Sequence, residues 1–501
     1  MNPYLRYALI ASAAAAFLLA CLAILLAFIV DPNAYKPLVI QLVKEKQRRN
    51  LGIGGHIALS FFPRPGVAMH AVSLSEHEDD VEFARVERIH ASLALVPLLR
   101  GKVVVDGIAI RGLQARLVRF RDGRTNVDDL LASGDEPPPF ELDLDDARVE
   151  GATLVLRDEP SEREYTLGRL DARIERRSGS SEAEAARHAV SLSFQAVRSG
   201  RPDVVDVRLG FGLAAGADAS YRVDGLELEA TGSMGGADPI TMRASGHAGL
   251  HSSSGGFAAD GMALDITGAQ GSRHVDVRLE IPHLSLVDGG LASGLLKANV
   301  KAADSANPPD NGNAEITLSD LSGTPGDFRS DALTLGLESR FGERRIVATL
   351  ASPLRGSVDA RRLELPDLSA RIHAEGPDVP GGLDGELQGN AILENERQRM
   401  QIHLAGKAMG SNAIARLTAT GFSEPDLEID AQIDRLDIDR FLPDPRTPPG
   451  RTGSAENPSL EALLDTPLLR NSRMRGSIRI GTLTSAGFRS SNVKLELQAA
   501  P

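Results

Sequence analysis

An uncharged apolar run from Tyr7 to Val30 stops at Asp31-Pro32-Asn33, and beyond it the chain is patterned almost entirely with a period of two. The run is about 24 residues, roughly 36 Å as a helix, enough to cross a bilayer core with some tilt. Its bulky anchoring side chains are Tyr7, Phe17, Leu18, Leu19, Leu22, Ile24, Leu25, Leu26, Phe28, Ile29 and Val30. A cleaved secretory signal would have a core of roughly 7–15 residues and a small-residue cleavage site before a polar start. Leu18-Leu19-Ala20-Cys21 has the form of a lipidation motif, but Leu22 to Val30 stay apolar where a lipidated cysteine would begin a polar tether. The sequence therefore predicts an uncleaved transmembrane helix over 7–30, preceded by a short segment 1–6.

Charge does not orient this span. Arg6 stands against Lys36, Lys44, Lys46, Arg48 and Arg49 on the other side, and a literal count would leave the large domain in the cytoplasm. Long domains translocate with little regard for such counts. Cys21 is the only cysteine, so the remainder of the chain has neither a disulfide nor a thiol metal site.

Asn33 is placed to cap an amphipathic helix over Ala34–Arg49, within a juxtamembrane segment 31–52. Tyr35, Leu38, Val39, Leu42 and Val43 give that helix one apolar face. From Ile53 onward the alternation is that of strands with one apolar and one wet face. The clearest runs are Val205–Phe211, Leu226–Ala230, His274–Ile281, Ile478–Ile480 and Val493–Leu497. Turns rich in Gly, Asp, Asn and Pro separate them, as at Arg121–Arg124, Ser252–Gly256 and Asn307–Gly312, which predicts an antiparallel meander. Short helices are expected at Asn126–Leu131 and Ser459–Leu464, and linkers at Ser133–Pro139 and Pro443–Pro458. The second linker divides an elongated β-domain, 53–442, from a C-terminal segment, 459–501.

The fold class that follows is mainly β: a transmembrane helix, then a long curled antiparallel sheet with one apolar face and few short helices. About two dozen strands at roughly 4.8 Å spacing would extend on the order of 100 Å, and a sheet that wide must twist and curl. Tryptophan is absent and aromatics are only 4%, so the apolar face is aliphatic. With no block of helices to cover it, that face either closes on itself as ordinary β-sandwiches or holds something greasy. Candidate lining residues for a groove are Leu59, Phe61, Val103, Val105, Val205, Val207, Leu209, Leu226, Leu228, Val275, Val277, Leu279 and Ile281.

Catalytic chemistry is not legible. His77-Glu78-Asp79-Asp80 lacks a second ligand at metal spacing. Asp143, Asp145 and Asp146 alternate with Leu142 and Leu144 as the wet face of a strand would. Gly52-Ile53-Gly54-Gly55 lacks the strand-before, helix-after context of a phosphate loop and reads as a turn. Arg116, Arg119, Arg121 and Arg124 read as a solvated strand face rather than a headgroup site. The net charge of −13 argues against a nucleic-acid partner. No cofactor, metal or enzyme activity is expected.

Several ordered motifs resemble the AsmA family of bacterial envelope proteins. They are Asp31-Pro32-Asn33, Leu51–Gly55 leading into Leu59–Pro63, Leu98-Leu99-Arg100-Gly101-Lys102-Val103, and Asp122–Leu130. Leu436–Pro443 and Ile480–Leu483 follow near the end. The family often has tryptophan where this chain has Val127, and its members usually continue beyond a strand like Val493–Leu497. The resemblance implies a bacterial inner-membrane, single-pass protein with segment 1–6 in the cytoplasm and the large domain in the periplasm. It further implies that the curled antiparallel sheet forms an elongated apolar groove, and a role in outer-membrane biogenesis, with phospholipid acyl chains held or conducted along that groove and no residue performing chemistry. A scaffold that assists outer-membrane protein assembly, pairing with other envelope proteins through a strand edge, is the alternative reading.

Overall fold

The computed structural model describes residues 32–60, 64–100, 102–131, 141–177, 187–216, 220–251, 256–307, 310–376, 379–421, 425–437, 439, 473–485 and 487–497. They are mainly β, with 27 strands in one sheet and few helices. The chain divides into two compact units, Met1–Ala215 with Val223–Gly236, and Gly216–Arg222 with Ala237–Pro501. No helix among the described residues is long and apolar enough to cross a membrane. The predicted span 7–30 and all its anchoring side chains lie outside the described residues, as do Ser133–Pro139, Pro443–Pro458 and Ser459–Leu464.

The first unit opens with a 3-10 turn, Pro32–Tyr35, and helix α1 (Lys36–Gln47). Its strands are β1 (Leu51–Ile53), β2 (Ile57–Ser60), β3 (Gly66–Ser75), β4 (Glu82–Leu93), β5 (Val104–Arg111), β6 (Gln114–Arg119), β7 (Glu141–Asp158), β8 (Arg163–Arg177), β9 (Arg187–Arg198), β10 (Val204–Ala215) and β11 (Ser220–Met234). Helix α2 (Leu95–Leu99) joins β4 to β5, and α3 (Asp128–Leu131) follows β6. Asn33 carries out a different task from the expected cap. Its Oδ1 accepts the Ile57 N–H at 2.8 Å and its Nδ2 donates to Ile57 O at 3.4 Å, supplying β2 with a substitute strand partner. Gly54 and Gly55 do not turn away either. Their N–H groups donate to Ala71 O and His70 O at 2.9 and 3.0 Å, so β1 and β2 run along the same edge of β3.

Arg49 locks this unit together. Its side chain is buried and makes a bidentate pair with Asp129, Nε to Oδ2 and Nη2 to Oδ1, both 2.7 Å. It also donates to Ser75 O at 2.9 Å and Asn126 O at 2.5 Å, and its guanidinium lies 4.8 Å over the Phe83 ring. Asn126, also buried, accepts the Val118 N–H and donates to Arg116 O and Glu76 Oε1, each at 2.9 Å. The expected helix at 126–131 therefore shortens to α3, because Asn126 is occupied in pinning β6 to the β3–β4 turn.

The second unit contains β12 (Ala237–His251), β13 (Gly256–Gln270), β14 (Arg273–Val287), β15 (Gly290–Ser293), β16 (Leu296–Asp304), β17 (Asn311–Ser319), β18 (Ser322–Thr324) and β19 (Asp327–Phe341). It continues with β20 (Arg344–Ser357), β21 (Arg362–Gly376), β22 (Val379–Glu394), β23 (Arg399–Ala408), β24 (Ser411–Thr420), β25 (Asp426–Asp437), β26 (Arg473–Ser485) and β27 (Phe488–Leu497). Asp288-Gly289 and Met409-Gly410 make two-residue hairpins with positive φ at both positions, the geometry that matches strand twist.

The meander is not wholly antiparallel. β5 and β6 both pair in parallel with β7, and β25 pairs in parallel with β26. Each parallel pair follows a crossover that returns the chain to its starting end. Residues 473–497 thus continue the sheet beside β25. Gly476 enables that pairing: at φ +149°, a Cβ built on it would lie 1.8 Å from Ile429 O. Gly476→Ala is expected to cost at least about 1–3 kcal/mol, read as a lowered denaturation midpoint. An unchanged midpoint would show that β25 and β26 can separate freely.

Candidate apolar face

Registered pairing carries the period-two pattern across strands, because directly opposed residues share a face. In the first unit, one row runs Ile57, Met69, Ile89, Ile110, Val149, Ala172, Leu192, Leu209. A second runs Leu59, Val67, Ala91, Ile108, Ala147, Ile174, Val190, Phe211 through the same strands. The second unit has a longer row. It begins at Ala244 and passes through Leu264, Leu279, Ala298, Ile316, Leu335 and Leu350. It then continues through Ala370, Leu387, Gly406, Ala413, Ile433 and Ile480 to Val493. Every strand from β12 to β27 contributes one residue, apart from the short β15 and β18. No polar side chain interrupts it.

The opposite face is charged and zipped. Arg243, Asp265, Arg278, Asn299 and Glu315 form a facing row, with ion pairs such as Arg345–Glu338 at 2.8 Å and Arg371–Glu386 at 3.4 Å. Hydrogen bonds donated to Glu375 and then to Asp384 hold the His373 imidazole above its ordinary pKa there. Arg119, Arg121 and Arg124 meet Asp158, Glu162 and Asp122, and Arg176 meets Asp145, as members of solvated faces.

Strand breaks align into a crease in each unit. In the first, Ala71 in β3, Gly112 after β5, Gly151 in β7 and Arg169 in β8 have positive φ at neighbouring positions. In the second, register shifts at Ser245/His247, Ser330/Leu333, Ala351/Arg355 and Leu365/Leu368 fall in line with Pro282 and with the gaps after β15 and β17. Bulges bend strands, so an aligned series bends the sheet. Several of the buried side chains lie beside these breaks: Val72, Val86, Ala152 and Leu170 in one unit, Ala259, Leu354 and Leu368 in the other. Away from the crease the apolar rows are half open to solvent, with Val275 at 42%, Leu337 at 37% and Ile372 at 38% exposure.

The sequence-derived lining residues distribute as follows. Leu59 and Leu209 lie in the rows above. Val205 and Val207 face Ala196 and Phe194, and Val275, Val277, Leu279 and Ile281 face Gly268, Ile266, Leu264 and Met262. Leu226 and Leu228 are half-buried in β11, and Val105 opposes Leu93. Val103 precedes β5 and is exposed, while its neighbour Val104 is buried. Phe61 lies outside the described residues. Sequence reasoning missed Arg49, which it counted only among flanking charges; the spacing between residue 49 and Asp129 carries no local signal.

A creased sheet carrying aliphatic rows on one face and ion pairs on the other defines the chain as a mainly β protein built from a large sheet with few helices. The chain matches the AsmA family over residues 1–444 and belongs to it. No curated protein and no solved structure matches it significantly.

Proposed function

We propose that this protein is a non-enzymatic bacterial envelope component, anchored in the inner membrane with its β-units in the periplasm, that supports outer-membrane biogenesis. Its creased apolar face forms a groove that holds or conducts phospholipid acyl chains. The observation that carries this reading is the unbroken aliphatic row from Ala244 to Val493. An acyl chain gains about 0.8 kcal/mol for each CH₂ removed from water, and neighbouring rows offer nearly equal environments, so chains slide without a large barrier. Headgroups remain in water beyond the aliphatic band, which requires no cofactor and no reacting side chain.

A photo-crosslinking amino acid placed at Leu350, in the row, or at Thr349, on the opposite face, tests this in cells. Phospholipid adducts are expected at 350 and not at 349. Equal labelling at both positions would refute a face-specific groove. Protein adducts at 350 in place of lipid would favour the assembly-scaffold reading.

A further inference from the structure

The loop from β4 to β5 carries an apolar tip that the rows do not use. Leu95 and Val96 on α2 are 56% and 59% exposed, and Val103 is 46% exposed. Arg100 and Lys102 are exposed around them, as is Arg64, which is paired with Asp106 at 3.6 Å; together they form a cationic rim on a chain of net charge −13. The tip is held in place. Leu93 N–H donates to Pro65 O at 2.8 Å, Ala94 N–H to Val104 O at 2.9 Å, and Lys102 N–H to Pro97 O at 3.0 Å. Holding three large aliphatic side chains in water on an ordered loop is unfavourable unless something covers them.

The location of the tip identifies the cover. Asn33 is bonded to Ile57, and Lys36 Nζ donates to Gly55 O, so the chain leaves the apolar run Tyr7–Val30 and is fixed on β2 within a few residues. From Val30 to Asn33 the reach is about 10 Å, and β2 advances about 10 Å from Ile57 to Ser60 towards the turn that β4 and α2 flank. We infer that Leu95, Val96 and Val103 insert at the headgroup–acyl boundary of the membrane that holds the anchor, with Arg64, Arg100 and Lys102 on anionic headgroups. The row that contains Leu59 and Ile108 crosses β4 and β5 next to this tip, which opens the apolar face directly to the leaflet. The inference rests on the anchor in the proposed function, not on the identity of the cargo.

The test uses the full chain with Cys21→Ser, reconstituted in phosphatidylcholine–phosphatidylglycerol vesicles and labelled with an environment-sensitive fluorophore at Val96→Cys. Val81→Cys is the control, since Val81 is equally apolar and 60% exposed but sits at the far end of β3 and β4. Fluorescence at 96 is expected to shift to the blue and to be quenched by acyl-chain spin labels, with neither effect at 81. Leu95→Glu with Val96→Glu should lower lipid photo-adducts at Val67 by roughly tenfold, from the lost burial of two aliphatic side chains. Emission at 96 matching that at 81 overturns the inference, as does shielding at 96 that lipid spin labels do not quench. Failure of the chain to float with the vesicles would instead refute the anchor.

Discussion

Arg49→Met is expected to destabilise the first unit by about 3–5 kcal/mol and lower its melting temperature on the order of 10 °C. The guanidinium is fully enclosed and bonds Asp129, Ser75 O and Asn126 O, so its removal strips the carboxylate of its bidentate partner, leaving only His77 Nδ1 at 3.3 Å, and takes a donor from two carbonyls. Arg49→Lys should recover little of this, because an ammonium cannot form the bidentate pair and the carbonyl bonds together. The effect carries a pH signature. The Arg49 hydrogen bond holds the Asp129 carboxyl below its ordinary pKa, against the opposing effect of burial. A depressed folded-state pKa stabilises fully above the unfolded value near 4 and is lost as pH falls through the folded value. Wild type should therefore lose stability in acid more steeply than Arg49→Met. Parallel acid limbs in chemical denaturation would contradict this assignment.

The contrast between Arg49 and the strands shows what a sequence reveals. Val275, Val277, Leu279 and Ile281 announce their face because strand geometry repeats every two residues and needs only local information. Arg49 and Asp129 meet across 80 positions, and nothing local distinguishes Arg49 from Arg48, whose side chain is exposed and paired with Glu78. The parallel pairs were hidden for a similar reason. A crossover and a linker share the composition of a loop, and only the partner strand tells them apart. The crease was half legible: Pro282, Pro353 and Pro366 are visible interruptions, but their alignment depends on registers that no single strand encodes. Exposure at Leu95 and Val96 was hidden too, since an apolar stretch beside Leu93 reads as core until the tip is seen in place.

Ile372→Asp is expected to lower lipid occupancy at the neighbouring row position Leu350 by roughly a hundredfold while leaving the fold intact. Ile372 is 38% exposed and opposes Ala348 and Gly385, so the new carboxylate can reach water in the empty protein and costs little stability there. Once an acyl chain covers that site, the charge must give up water without a partner, a penalty of several kcal/mol. Each covered CH₂ returns only about 0.8 kcal/mol, so the acyl contacts beside position 372 cannot offset it. A deficit of about 3 kcal/mol lowers occupancy by roughly a hundredfold. Arg371→Asp, one residue away on the charged face, breaks the pair with Glu386 but leaves the aliphatic row untouched, and should keep the wild-type adduct yield at Leu350. Continuity makes the difference decisive: a ribbon of rows offers a sliding chain no detour, whereas a set of closed sandwiches would confine the damage to one core. Loss of adducts with Ile372→Asp, at an unchanged melting temperature, separates transport along the face from support of the fold; equal yields from both variants would mean that lipid does not travel along this face.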